Sequence, residues 1–186
     1  MRLWVLIMLV LVGEVGAEPI YRKSTNYYFV SGGSALILMR QFSEKGPTGL
    51  DGDRHIFAAQ WEVQWKIKYQ TENQKCRPGK VTTIIGMTTT LPKRGKKPVK
   101  TGELEVRWAG MLEAIEKHEK FHEKQARLAG KMIERAILDL EPGMSCDFVK
   151  EAASKVANKI LRDQRKVSQD YDMNTNYGAD QGITLL

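Results

Sequence analysis

From Phe57 to Tyr69 apolar and polar residues alternate without a break: Phe57, Ala59, Trp61, Val63, Trp65, Ile67 and Tyr69 against Ala58, Gln60, Glu62, Gln64, Lys66 and Lys68. A period of two over this length predicts a strand with one buried and one wet face, as in an antiparallel sheet. The Thr-, Val- and Ile-rich stretch from Val81 to Leu91, closed by Pro92, predicts its partner. Between them, Gln70 to Lys80 contains Cys76 and Pro78-Gly79 and reads as a long hairpin loop. Upstream, Tyr27 to Val30 predicts a short strand ending at Ser31-Gly32-Gly33. Ser34 then caps an apolar helix, Ala35 to Lys45, which Gly46-Pro47 stops before a turn-forming stretch, Thr48 to Asp53.

After Thr101, which can act as a cap, the period changes. Leu104, Trp108, Met111, Ile115, His118, His122, Ala129, Met132 and Ala136 recur at steps of three and four, predicting one long helix from Glu103 to Leu140. Gly130 is a possible kink in it, and Glu141-Pro142-Gly143 ends it. Ser145 or Asp147 opens a further helix from Phe148 to about Val167, with Phe148, Ala152, Val156 and Ile160 on its inner face. The tail, Ser168 to Leu186, is polar and turn-rich. The sum is an α+β fold: a small antiparallel sheet packed on a long helix, plus a second, C-terminal helix.

The first residues change the setting of that fold. Arg2, the unbroken apolar run Leu3 to Val12 and the small-residue site Val15-Gly16-Ala17 have the layout of a signal peptide over residues 1–17. The run is short for a membrane span, and nothing downstream matches it. The expectation is therefore a periplasmic or secreted protein with no transmembrane span after cleavage and a single domain over residues 18–186. No cysteine follows the apolar run, which argues against a lipid anchor. An exported chain with two cysteines, Cys76 and Cys146, is expected to join them in a disulfide. The net charge of +7 concentrates in Lys93-Arg94-Gly95-Lys96-Lys97-Pro98 and Lys100. Gly and Pro make that stretch a loop rather than a groove-binding helix, and export argues against a nucleic-acid partner. An anionic envelope surface or an acidic substrate remains as its counterpart.

His118-Glu119-Lys120-Phe121-His122 carries the chemistry. It reads HExxH inside the long helix, where residues four apart share a face at about 5–6 Å between Cβ atoms. Both imidazoles can reach one ion, and Glu119 stands beside them as a base for a water molecule. The histidines continue the apolar seam, so they turn toward the core. A catalytic zinc commonly has three protein ligands, and the pattern leaves the third open. Leu128 occupies the place of the third His of the extended metzincin form. Glu134 lies about 18 Å along the helix from His122 at a rise of 1.5 Å per residue, too far to share the ion. His55, Asp172 and Tyr177 remain as candidates.

The chain resembles a bacterial family, DUF922, described as secreted zinc-dependent proteases. The likeness rests on Tyr28-Phe29-Val30-Ser31-Gly32, Trp61-Glu62-Val63-Gln64-Trp65, Cys76, Leu91-Pro92, Trp108 and the HExxH motif. It extends to the tail, Tyr171-Asp172-Met173-Asn174-Thr175-Asn176-Tyr177-Gly178 followed by Gln181-Gly182. The family pattern there is similar to Tyr-Asp-x-x-Thr-x-His-Gly, so Tyr177 stands where the family usually has a histidine suited to be the third ligand. The tail also resembles that of aspzincin peptidases, in which an Asp ligand precedes a Tyr-Gly pair. The resemblance implies a zincin-like zinc metallopeptidase acting on a peptide or protein. In it His118 and His122, with Asp172, hold Zn²⁺, Glu119 is general base and Tyr177 steadies the transition state. The alternative is a catalytically impaired member that serves as an envelope-associated binding or structural protein.

Overall fold

A computed structural model describes residues 18–49, 51–95 and 102–186. The signal-peptide assignment, the Lys96-to-Lys100 part of the basic stretch and the Thr101 cap lie outside these residues. In order, the elements are β1 (Ile20–Val30), α1 (Ala35–Lys45), β2 (Ala58–Glu72), β3 (Lys75–Arg94), α2 (Gly102–Leu138) and α3 (Cys146–Asn174), followed by a single 3-10 turn (Ala179–Gln181). The fold is mixed α+β, a three-stranded sheet with three helices.

The alternation of β2 survives in three dimensions. Phe57 and Val63 are buried, Trp61 and Trp65 are half-buried against the core, and the intervening residues face water. β3 alternates likewise, with Val81, Thr83, Ile85, Met87 and Thr89 all buried. The long loop expected from Gln70 to Lys80 is instead a tight hairpin. Asn73 and Gln74 take φ of 50° and 61°, a two-residue turn with both residues left-handed, so the strands run almost to its tip. Pro78 is accommodated because the ladder shifts register between Lys68 and Tyr69, where a missing N–H costs little.

The sheet order is β1-β3-β2, with β2 antiparallel to β3 but β1 parallel to it. An all-antiparallel sheet is thus corrected to a mixed one. The cause is the crossover: α1 and the segment after it carry the chain from one edge to the other, so β3 returns between the strands running the same way as β1.

Ser34 caps α1 by accepting from Ile37 N, and Ser145 caps α3 by accepting from Phe148 N. Inside α2, a Cβ at Gly130 would stand 2.9 Å from Ile85 Cδ1, so the absent side chain lets the helix approach the sheet. Beyond Gly130 the inner residues are Ile133 and Ile137, while Met132 is exposed. On α3 the inner face is Val149, Ala153, Ala157, Ile160 and Leu161, so the expected Ile160 is in the core and Val156 packs against it, but the face is centred on Ala153 and Ala157, and Phe148 is 60% exposed. Small residues bring α3 against Ala126 and Ala129 of α2.

Cys76 and Cys146 form a disulfide across 70 residues of chain. Cys76 also exchanges backbone hydrogen bonds with Gly143, at 2.9 and 2.8 Å, fixing the α2–α3 turn to β3. Loop-closure entropy assigns a bridge of this span about 4 kcal/mol. Replacing both cysteines by Ser is therefore expected to lower the unfolding free energy by about that amount in urea titrations, with reductant doing the same to the native sequence. No helix among the described residues is long and apolar enough to cross a membrane.

Two apolar clusters share α2. One gathers Leu38, Phe42, Trp108 and Ile115 with the tail residues Ile183 and Leu185; the other gathers Val63, Ile85, Ala126 and Ile133 with α3. Between Ile115 and Ala126 the buried residues are His118, Glu119, His122 and Gln125. A polar band in the middle of the helix, roofed by Thr89 of β3, is where burial must be justified by hydrogen bonds or a ligand.

Candidate metal centre

His118 and His122 project from one face of α2, one turn apart, and are 1% and 4% exposed. Their Nε2 atoms lie 3.1 Å apart. Asp172, in the last turn of α3, sends Oδ1 to 3.0 Å from His118 Nε2 and 2.9 Å from His122 Nε2. Three donor atoms from two helices thus converge on one point, a possible metal site. Burial pushes the Asp172 carboxyl up, but hydrogen bonds from His118 and His122 outweigh it and hold the group at about 2. Asp172 is therefore a carboxylate throughout the physiological range.

The tail is shaped to complete this centre. After α3, Asn176, Tyr177 and Gly178 are all left-handed, and Tyr177 N donates to Asp172 O at 2.7 Å. Gly178 is obligatory: at φ 82° a Cβ would come 2.2 Å from Ile183 Cδ1 and 3.3 Å from His118 Nδ1. The 3-10 turn then places Gln181 so that its Oε1 accepts from His118 Nδ1 at 2.7 Å, while its Nε2 donates to the Tyr171 hydroxyl at 2.9 Å. A carbonyl oxygen can only accept, so Nδ1 is held as the donor, leaving Nε2 as the nitrogen that faces Asp172 and would ligate an ion. Tyr171 stacks on Phe121 at 3.8 Å between ring centres and lies 4.7 Å from His118, closing that side.

Glu119 projects toward the sheet. Thr89 Oγ1 donates to its Oε2 at 3.1 Å, whereas its Oε1 is buried without a hydrogen-bond partner. Burial raises the pKa of its carboxyl, against the opposing pull of His122, Thr89 and His118. A cleft of about 530 Å³ opens onto it, walled by β1 and the end of β3 on one side and by Trp108, Leu112 and Glu116 of α2 on the other.

Of the three candidates for a third ligand, the structure brings Asp172 to the histidines. His55 is bound elsewhere, its Nε2 at 3.0 Å from both Asp51 oxygens and its ring stacked on Tyr177 at 4.1 Å. The Tyr177 side chain sits beside Asp51, whose carboxylate, with burial and the charge of Asp172, raises the pKa of its hydroxyl. Thr89 and Gln181 complete the surroundings of the centre. Thr89 lies within the expected partner strand, but nothing in the run Thr88-Thr89-Thr90 sets it apart. Gln181 gave no chemical signal of its own.

The donor set suits a divalent transition metal. Two imidazole nitrogens and a carboxylate oxygen match a three-ligand zinc site. Three lone-pair-bearing atoms this close repel one another unless a cation or protons lie between them, and the orphaned Glu119 oxygen needs a donor beside it.

A family model described as "Bacterial protein of unknown function (DUF922)" matches residues 25–178. The matched span takes in His118, Glu119, His122 and Asp172, and Gln181 lies beyond it. No curated protein and no solved structure matches the chain.

Proposed function

The chain belongs to the DUF922 family, and for this member we propose an exported, zincin-like zinc peptidase that hydrolyses peptide bonds with Glu119 as general base. The observation that carries the reading is the buried, partnerless Glu119 Oε1 beside three converging ligand atoms. A structural metal site has no use for such a group. Hydrolysis has, because water must lose a proton as it attacks. Export is supported by the apolar run at the N-terminus and by the disulfide.

His118, His122 and Asp172 would hold the ion. Zinc there would supply Lewis acidity, polarising the scissile carbonyl and lowering the pKa of water toward ~7. Thr89 fixes one oxygen of Glu119, leaving Oε1 to take the proton of the attacking water and pass it to the departing amine. Its burial suits both steps, since a raised pKa makes the carboxylate a better acceptor at neutral pH. Gln181 holds the Nδ1 proton of His118 in place. Tyr177, which keeps its proton at neutral pH, is the donor assigned to the developing oxyanion once it leaves Asp51. The substrate, a peptide or protein, lies extended along the edge of β1, which pairs with no other strand among the described residues, and borrows its backbone hydrogen bonds.

Elemental analysis of the mature protein purified without a metal-affinity tag tests the reading first. About one zinc per chain is expected, absent in His118→Ala. No zinc after incubation with added metal would sink the proposal. Gln181→Leu is expected to keep the fold but weaken zinc binding by about 10–100-fold, read by competition with a fluorescent chelator.

A further inference from the structure

The wall of the cleft nearest Glu119 carries an excess of positive charge. Lys23, Thr25 and Tyr27 line it from one face of β1. Lys23 stands at the Glu119 end, close enough for its charge to act on that carboxyl. Lys93 stands at the other end, its Nζ over the Tyr27 ring at 5.0 Å. Both lysines are exposed, and neither has a carboxylate partner among the described residues. Of the other charges in the lining, Arg94 pairs with Glu105 at 3.3 Å and Glu116 with Lys120 at 3.5 Å, while Glu119, the one acid without an ion-pair partner in the lining, is held by Thr89. Two exposed lysines on one wall, facing an apolar one, concentrate a positive field on whatever lies along β1. The apolar wall is Leu91, Pro92, Trp108 and Leu112.

The spacing of the two lysines restricts the ligand further. Lys93 meets β1 at Tyr27, four residues from Lys23, which is roughly 13 Å at ~3.3 Å per residue. Side chains of an extended peptide return to the same face every second residue, so positions four apart reach both. We infer that the cleft selects a peptide strand with two acidic side chains four residues apart, one on Lys23 and one on Lys93, laid along the free edge of β1. The ligand's being a peptide rests on the peptidase reading; the charge preference is tested separately from it.

The test uses the zinc-incubated mature Glu119→Gln protein and short fluorescent peptides of Ala, Val and Thr, measured by anisotropy. One peptide carries two Glu four residues apart, a second two Gln at those places, and a third two Lys. The Glu peptide is expected to bind about tenfold tighter than the Gln peptide, the scale of two partly screened ion pairs, and to lose that advantage as salt rises. Adding Lys23→Glu and Lys93→Glu together, with an unchanged melting curve, is expected to transfer the preference to the Lys peptide. Equal binding of all three peptides, or binding of none, overturns the inference. Cleavage of all three by the native enzyme at one kcat/KM overturns it too, while upholding the peptidase reading. Lysine-dependent binding of the Glu peptide without any cleavage upholds the charged cleft and removes the peptidase.

Discussion

Asp172→Asn is expected to yield a folded protein that no longer retains zinc through purification and hydrolyses no peptide. The carboxylate closes the only three-residue ligand cluster among the described residues, and two histidines one helical turn apart do not make a three-ligand site. An amide oxygen is a far weaker donor to a divalent cation than a carboxylate. The affinity loss should therefore exceed the roughly 100-fold that removal of an outer partner produces. Folding should survive, because Asp172 lies at the end of α3, is partly exposed, and its backbone carbonyl still accepts from Tyr177 N. Zinc content by elemental analysis, circular dichroism and peptide hydrolysis on one preparation decide it. Stoichiometric zinc in Asp172→Asn would show that the ion is held by other groups. The companion His55→Ala should keep its zinc, since His55 is taken up by Asp51 and Tyr177.

The hydrophobic pattern located the elements whose burial is apolar and failed where burial is polar or absent. β2, α1 and α2 each present a continuous seam of large apolar residues, and their positions were readable to within a few residues. β1 begins at Ile20, well before the expected Tyr27, because Arg22 to Tyr27 are exposed on an edge strand and carry no alternation. α3 runs on to Asn174 through residues taken as tail, because its last turns face the metal centre through Tyr171 and Asp172 rather than a core. The face of α3 holds at Val156 and Ile160 but is displaced at its start, for a related reason. Ala153 and Ala157 make the close contact, and small residues weigh less in a pattern than the bulkier Phe148, which is exposed.

The same distinction runs through the site. His118, Glu119 and His122 form a local motif whose geometry follows from the helix alone. Asp172 reaches them from α3, so its choice over His55 and Tyr177 depends on how two helices and a tail pack, which no local period encodes. Gln181 is further still from sequence reading. Its task, fixing the tautomer of His118, follows from a glycine-dependent turn at Gly178 that bends the chain back onto α2.

Glu119→Gln is expected to keep zinc and fold while lowering kcat by about 10²–10⁴-fold, with KM little changed. The amide matches the carboxylate in shape and can still accept from Thr89, so the site geometry persists. What it lacks is basicity, the one property hydrolysis asks of this residue. The stability of the variant separates this role from a structural one. Burial raises the Glu119 pKa, which means the folded state disfavours the charge more than the unfolded chain does. Removing that charge should therefore leave the melting temperature unchanged or higher. A residue kept for the fold would behave oppositely, because its loss would lower the melting temperature along with activity. Undiminished hydrolysis in Glu119→Gln would assign proton transfer to another group. A lowered melting temperature with zinc lost would return Glu119 to the architecture of the fold.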